Sequence, residues 1–211
     1  MKKRMQSNII VKHIEEYSSF YIFHTVLLIM GVIFGAIVVN SLTGTQKEDL
    51  FYFINTFFHQ LISGEVLSAK ETFFHSLSYN SKYIGLMWIL GMTMIGLPII
   101  LVLLFLKGMV VGFTIGFLVQ QMGWKGFFLS FVSIIPQNIV IIPIFITVAV
   151  VSVSFSLQLI KKLFVKSLYQ PFAPMLARYF MFFGCAILLL GFAAFIEGYI
   201  TPYFMKGILN L

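Results

Sequence analysis

Glu71 and His75 stand at i, i+4, a spacing that sets both on one helix face where they could hold a metal ion, with His59 able to join them after folding. Two ligands do not make a site. No third and fourth donors follow at ligand spacing, so no metal is assigned and the pair reads as a solvated polar face. His24 falls four residues into an apolar run, about 6 Å deep at ~1.5 Å per residue, and reads as an interfacial group instead of a proton relay. Glu197 is the carboxylate nearest a hydrophobic run and lies at its outer end, within reach of water. Cys185, the lone cysteine, cannot form an internal disulfide. P-loop, HExxH, GxSxG and Cys/His-cluster patterns are absent, so the sequence assigns no catalytic residue and no cofactor.

The chain that must position these groups is 60% apolar and 10% charged, against roughly 45–50% and about 25% in a soluble domain. With 25 Phe, 9 Tyr and 2 Trp, it has much to place against lipid and little for acid/base chemistry, which excludes most soluble enzymes. A net charge of +7 could point to nucleic acid, but the 14 basic residues are scattered among apolar runs and form no patch. They read as topology signals, and no nucleic-acid partner is assigned.

Residues 1–19 read as a cytoplasmic segment, and Ile10, Ile14, Tyr17 and Tyr21, running from it into the next, could form a short interfacial helix. Residues 20–40 form a first transmembrane helix, too long for a signal-peptide core and without a small-x-small cleavage site. Residues 41–82 read as an outward amphipathic segment of two helices. One follows a capping box at Thr45–Glu48 and ends near Gly64; the other follows a box at Ser68–Glu71. Their apolar residues, Leu50, Phe53, Phe57, Phe58, Phe73 and Phe74 among them, need a membrane surface or a partner protein, and form the candidate interaction surface.

A helical membrane bundle is expected over 83–199, with a short outward tail over 200–211. Tyr83–Val119 is too long for one crossing, so a turn is placed at Lys107-Gly108, with Tyr83–Leu106 as one span and Gly108–Gln121 as a short or re-entrant one. A further turn at Gly123–Gly126 precedes a run kinked by Pro136 and Pro143, and Tyr179–Tyr199 is the last span. The fold class is therefore all-α, a polytopic integral membrane protein with about five transmembrane helices plus amphipathic outer helices. Lys2, Lys3, Arg4, Lys12, Lys107, Lys161, Lys162, Lys166 and Arg178 then lie inside, against Lys47, Lys70, Lys82, Lys125 and Lys206 outside. That bias puts the N-terminus inside and the C-terminus outside.

Gly108, Gly112 and Gly116 share a helix face and read as a close-packing seam, with Leu118 facing lipid; Gly184, Gly191 and Gly198 repeat at seven and read likewise. Whether such seams pack within one chain or in a homo-oligomer is open at this point.

The strings EEYSS (15–19), GVIFGAIVVNS (31–41), QKEDL (46–50), KYIGLMWIL (82–90), Gly96-Leu-Pro, LKGMVVGFT (106–114) and QMGWKG (121–126) closely resemble the stage II sporulation protein M family of endospore-forming Bacillus relatives. The likeness covers essentially the whole chain. It implies a multi-pass protein of the mother-cell membrane at the sporulation septum, needed for septal thinning and forespore engulfment. The implied partners are stage II sporulation proteins P and D, which cut peptidoglycan. The wider family commonly carries a proline-histidine-glycine and a downstream glutamate-x-proline signature. Here the comparable stretch is Pro136–Pro143, in which Gln137 and Asn138 replace the histidine and glycine and Ile141 stands in the glutamate's place. Activity depending on those groups is not carried over. Two functions follow as expectations: a non-enzymatic membrane scaffold for peptidoglycan hydrolases, and alternatively a transporter or permease-like subunit, whose weakness is the lack of a deep charged residue.

Overall fold

The computed structural model describes residues 18–63, 68–93, 95–164, 172–201 and 204, and every described element is helical. They are α1 (Ser18–Val38, continued by a 3-10 turn Val39–Ser41), α2 (Gly44–Ser63), α3 (Ala69–Gly91), α4 (Gly96–Ser133), α5 (Ile135–Phe164) and α6 (Phe172–Phe195, continued by a π-helical turn Ile196–Ile200). The expected interfacial helix before Ser18, the chain break at Gly64 and most of the 200–211 tail lie outside the described residues.

Local chemistry sets the helix ends. At the start of α2 the reciprocal pair is Thr43 with Gln46. The Thr43 N–H donates to Gln46 Oε1 at 3.0 Å and the Gln46 N–H to Thr43 Oγ1 at 3.4 Å, two residues ahead of the box read at Thr45–Glu48. At α3 the box is Ser68 with Glu71, again bonded in both directions, at 2.8 and 3.3 Å. From this cap α3 runs unbroken to Gly91, so residue 82 is not a segment boundary; it falls inside a helix. The chain reverses at Met92–Ile95. Thr93 Oγ1 donates to the Leu90 carbonyl and accepts from the Gly96 N–H, at 2.8 and 3.0 Å. Pro98 follows in the first turn of α4, where a missing N–H costs nothing.

This corrects the turn read at Lys107-Gly108, which sits mid-helix. α4 runs for 38 residues, about 57 Å at ~1.5 Å per residue, and its break is at Gly123. There φ is 57° and ψ is −132°, a conformation that side chains with a Cβ rarely adopt. Beyond it the chain folds back, setting Gly126 against the Leu118 carbonyl and Leu129 against Leu118, so Leu118 is buried and does not face lipid. Gly108–Gln121 is thus part of a full-length helix, neither short nor re-entrant.

Among the described residues, four helical stretches are long and apolar enough to cross a membrane: Ser18–Ser41, Gly96–Ser133, Ile135–Lys162 and Ala173–Ile200. Tyr83–Leu106 is not one of them, because it is the end of α3, a turn and the start of α4. The chain is a multi-pass, all-α membrane protein. α3 is too polar to qualify by composition, yet it is packed among α4, α5 and α6 over its length. Cross-helix neighbours give the directions. Gly108 lies on Leu28 and Gly116 on Ala36, so α1 and α4 are parallel. Asn80 bonds Lys107 while Leu90 meets Gly96, so α3 is antiparallel to α4. Tyr83 touches Phe145 and Ser156 reaches the Gly91 carbonyl, so α5 follows α3; Trp88 stacks on Tyr179 and Phe73 meets Gly198, so α6 opposes it.

The core sits where these helices meet, around Ile84, Met87, Ile100, Leu104, Phe145 and Leu190. Lys161, Lys162 and Arg178 fall on the side where α1 begins; Lys47, Lys70 and Lys125 fall on the other. We expect the first side to be cytoplasmic. Reporters fused at Met92 and Lys162 should be active only inside, and one placed at Trp124 only outside. Activity of both kinds on one side would reverse or break this path.

Candidate functional site

α3 carries polar residues on two faces. On the inward face, Ser76 and Asn80 are buried, a helical turn apart. Asn80 is about 16 Å from the Gly91 end at ~1.5 Å per residue, close to the middle of the bundle. Lys107 of α4 reaches it from the facing helix, 9% exposed, and its Nζ donates to Asn80 Oδ1 at 3.0 Å. The ammonium also lies over the Phe145 ring, 4.8 Å from the centroid, and 5.8 Å from that of Tyr79, so aromatic faces share its charge. Asn80 Nδ2 in turn donates to the Ser76 carbonyl at 3.0 Å.

The chain of contacts ends at Glu197. The Ser76 hydroxyl donates to Glu197 Oε2. With its amide nitrogen turned to the carboxylate, Gln137 donates to Oε1 at 3.2 Å and Oε2 at 2.7 Å. Glu197 is carried by the π-helical turn Ile196–Ile200, and Gln137 follows Pro136 at the start of α5. The backbone is irregular at Glu197, as at many functional sites. Glu197, at the outer end of α6, is therefore half-buried and held by side chains of α3 and α5. The network holds one cation and one carboxylate, with no nucleophile activated beside them. It can bind charge and pass hydrogen-bond changes between four helices.

Sequence reading missed it because Lys107 and Asn80 are joined only through the fold. The available signal was the absence of Gly-Pro turn chemistry at Lys107-Gly108, beside its presence at Gly96-Leu-Pro.

On its outward face α3 exposes Glu71, His75, Ser78 and Lys82, at spacings of four, three and four. Glu71 is engaged with the Ser68 cap, and among the described residues no three His, Cys, Asp or Glu converge. The side chain of His59 lies outside the described set. This stripe runs beside the apolar stretches of α6 that pack along α3, so it descends from the Ser68 end to bundle depth with no helix of the described residues over it. Lipid cannot satisfy it: a lysine at mid-depth costs about 2.5–3.5 kcal/mol on insertion scales.

The apolar candidates are placed unevenly. Phe53 is 69% and Phe74 56% exposed, Leu50 is half-buried, and Phe73 is half-buried against Gly198 and edge-on to Phe74. Phe57 and Phe58 belong to α2, but their side chains lie outside the described set. Among the described residues α2 touches the bundle lightly, with Ile54 against Leu118 and Leu129.

Gly108, Gly112 and Gly116 all face α1, where Gly31 and Gly35 answer them. A Cβ at Gly184 or Gly191 would meet nothing within 4 Å, so these two are not at a close approach among the described residues; Gly198 is, against Ala69 and Phe73. His24 is buried inside the bundle. It is 1% exposed, its Nδ1 within 2.7 Å of the Phe20 carbonyl, with Nε2 unbonded.

Compared with known proteins, the chain matches the family described as stage II sporulation protein M over residues 24–202. No curated protein and no solved structure matches it.

Proposed function

The chain belongs to the stage II sporulation protein M family, a family of sporulation membrane proteins, and on that premise we propose that it is a non-enzymatic scaffold that anchors peptidoglycan hydrolases. Its place is the mother-cell side of the septum, for septal thinning and forespore engulfment. Its partners are stage II sporulation proteins P and D.

The observation that carries this reading is the exposed face of α3. Phe74 stands at its outer end, and His75, Ser78 and Lys82 follow it down to bundle depth. A polar seam at that depth is stable only when another protein segment supplies its hydrogen bonds, which is how polar residues select partners between membrane helices. The aromatic α2, lightly held by the bundle, adds outward surface beside it.

Ser78→Leu with Lys82→Leu separates docking from insertion, because both changes make α3 more compatible with lipid. We expect the double variant to reach the membrane at normal level. Hydrolase recovered with the tagged protein from sporulating cells should fall by about tenfold, equivalent to ~1.4 kcal/mol of lost affinity, and engulfment should halt. Normal recovery would retire α3 as the docking surface.

A permease-like subunit is the second reading, favoured by Lys107 at mid-bundle, the deep charge that sequence reading lacked. Saturable solute flux in liposomes holding this protein alone would favour it over the scaffold.

A further inference from the structure

Neither reading accounts for how Glu197 is partnered. A carboxylate meant to stay ionised in a membrane bundle is normally met directly by a cation, because both charges are then satisfied at once. Here Lys107 donates to Asn80, while the carboxylate oxygens are met by the Ser76 hydroxyl and the Gln137 amide.

Those two partners have a property no cation shares. A serine hydroxyl can donate or accept, and a glutamine amide offers a donor nitrogen or, turned by half a rotation, an acceptor oxygen in the same place. Either orientation of Gln137 brings a polar atom within 2.7 Å of Glu197 Oε2. With nitrogen forward it serves a carboxylate; with oxygen forward it accepts the O–H of a carboxylic acid. Glu197 can therefore gain or lose a proton without leaving an unpaired polar atom and without moving a helix.

We propose that Glu197 is a reversible proton-binding site at the outer end of the bundle, with Gln137 and Ser76 as partners for both of its states and Lys107 as the nearby countercharge. The proton comes from and returns to water at the half-exposed π-helical turn, and no bond other than the carboxyl O–H is made or broken. The charged or titratable groups whose charge Glu197 feels are Lys107 of α4 and His75 of α3; α5 presents the neutral Gln137. Gain of the proton takes the carboxylate charge away from Lys107 and makes one partner, Gln137 or Ser76, the acceptor of the new O–H while the other still donates. The state of Glu197 is thus passed to α3 one turn below Phe73.

A lipophilic carbodiimide, N,N′-dicyclohexylcarbodiimide, reacts with protonated carboxyls in apolar surroundings and reports the state of the site. With the full-length protein in lipid nanodiscs, we expect peptide mass spectrometry to find Glu197 modified, with the extent falling by at least about tenfold between pH 4.5 and pH 9 as the reactive acid is titrated away. Lys107→Met should raise modification several-fold between pH 6 and pH 7, because the cation that favours the carboxylate is gone. Glu197→Gln should lose the tag. The wild-type protein also gives a result free of any folding defect: its infrared difference spectrum between the two pH values should contain a protonated-carboxyl carbonyl band. No tag on wild-type Glu197 at any pH, a tag of equal extent at both, or no such band would overturn the proposal.

Discussion

Gly112→Leu should separate α1 from the rest of the bundle, lowering the thermal midpoint of the purified protein far more than Val110→Ala does. A Cβ at Gly112 would overlap the Val32 carbonyl, a backbone atom that moves only if its helix moves. The same holds for Gly108 on Leu28, and in return for Gly31 on Phe105 and Gly35 on Met109, so the two helices are in backbone contact over several turns. Membrane helices gain no hydrophobic drive from association, and close approach of this kind is what holds them together. Overpacking usually costs about 1–3 kcal/mol and occasionally more; with backbone on both sides we expect the upper end or beyond. Val110 is about half exposed and is the proper control. Leu118→Ala is not, since Leu118 is buried against Leu129 and its truncation makes a core cavity. Both variants should still insert. Equal midpoints for Gly112→Leu and Val110→Ala would remove the seam as a source of stability.

The contrast between Gly112 and Lys107 explains how far the fold could be read from sequence. A glycine face repeating every four residues is a local pattern, visible without knowing its partner, and so is the Ser68–Glu71 capping box. The apolar runs of α1, α5 and α6 are legible for the same reason, because their composition alone selects lipid as solvent. Lys107 is different. A lone lysine in an apolar run resembles the edge of a loop unless its acceptor is known, and Asn80 is brought to it only by the reversal at Met92–Ile95. That single relation also hid α3 as a bundle helix. Its polar residues look like an aqueous segment, whereas one face of them satisfies Lys107 and Glu197 and the other is a seam without a partner among the described residues. The Gly184–Gly191 repeat shows the converse: glycines on a shared face permit close packing but do not compel it, and among the described residues no helix comes to meet them.

Asn80→Leu should be among the most damaging single substitutions in the molecule, and Lys107→Met should relieve it. Asn80 is the one residue that both accepts from Lys107 and ties back to Ser76, whose hydroxyl continues to Glu197. Its replacement by an apolar side chain leaves the ammonium with the Phe145 and Tyr79 rings and without its acceptor. Removing one partner from a buried charge costs about 3–5 kcal/mol, because the remaining charge is still desolvated. Lys107→Met removes that charge while keeping most of the side-chain volume, so it should cost less, and Asn80→Leu added to it should do little further harm. The double-mutant cycle, read from unfolding in detergent, should therefore be non-additive by about 1–3 kcal/mol, with the double variant more stable than Asn80→Leu alone. Additive losses would mean that Lys107 is hydrated through the bundle and needs no acceptor. The tight seal inferred from its burial would then give way to a water-filled path, and with it the permease-like reading would gain over the scaffold.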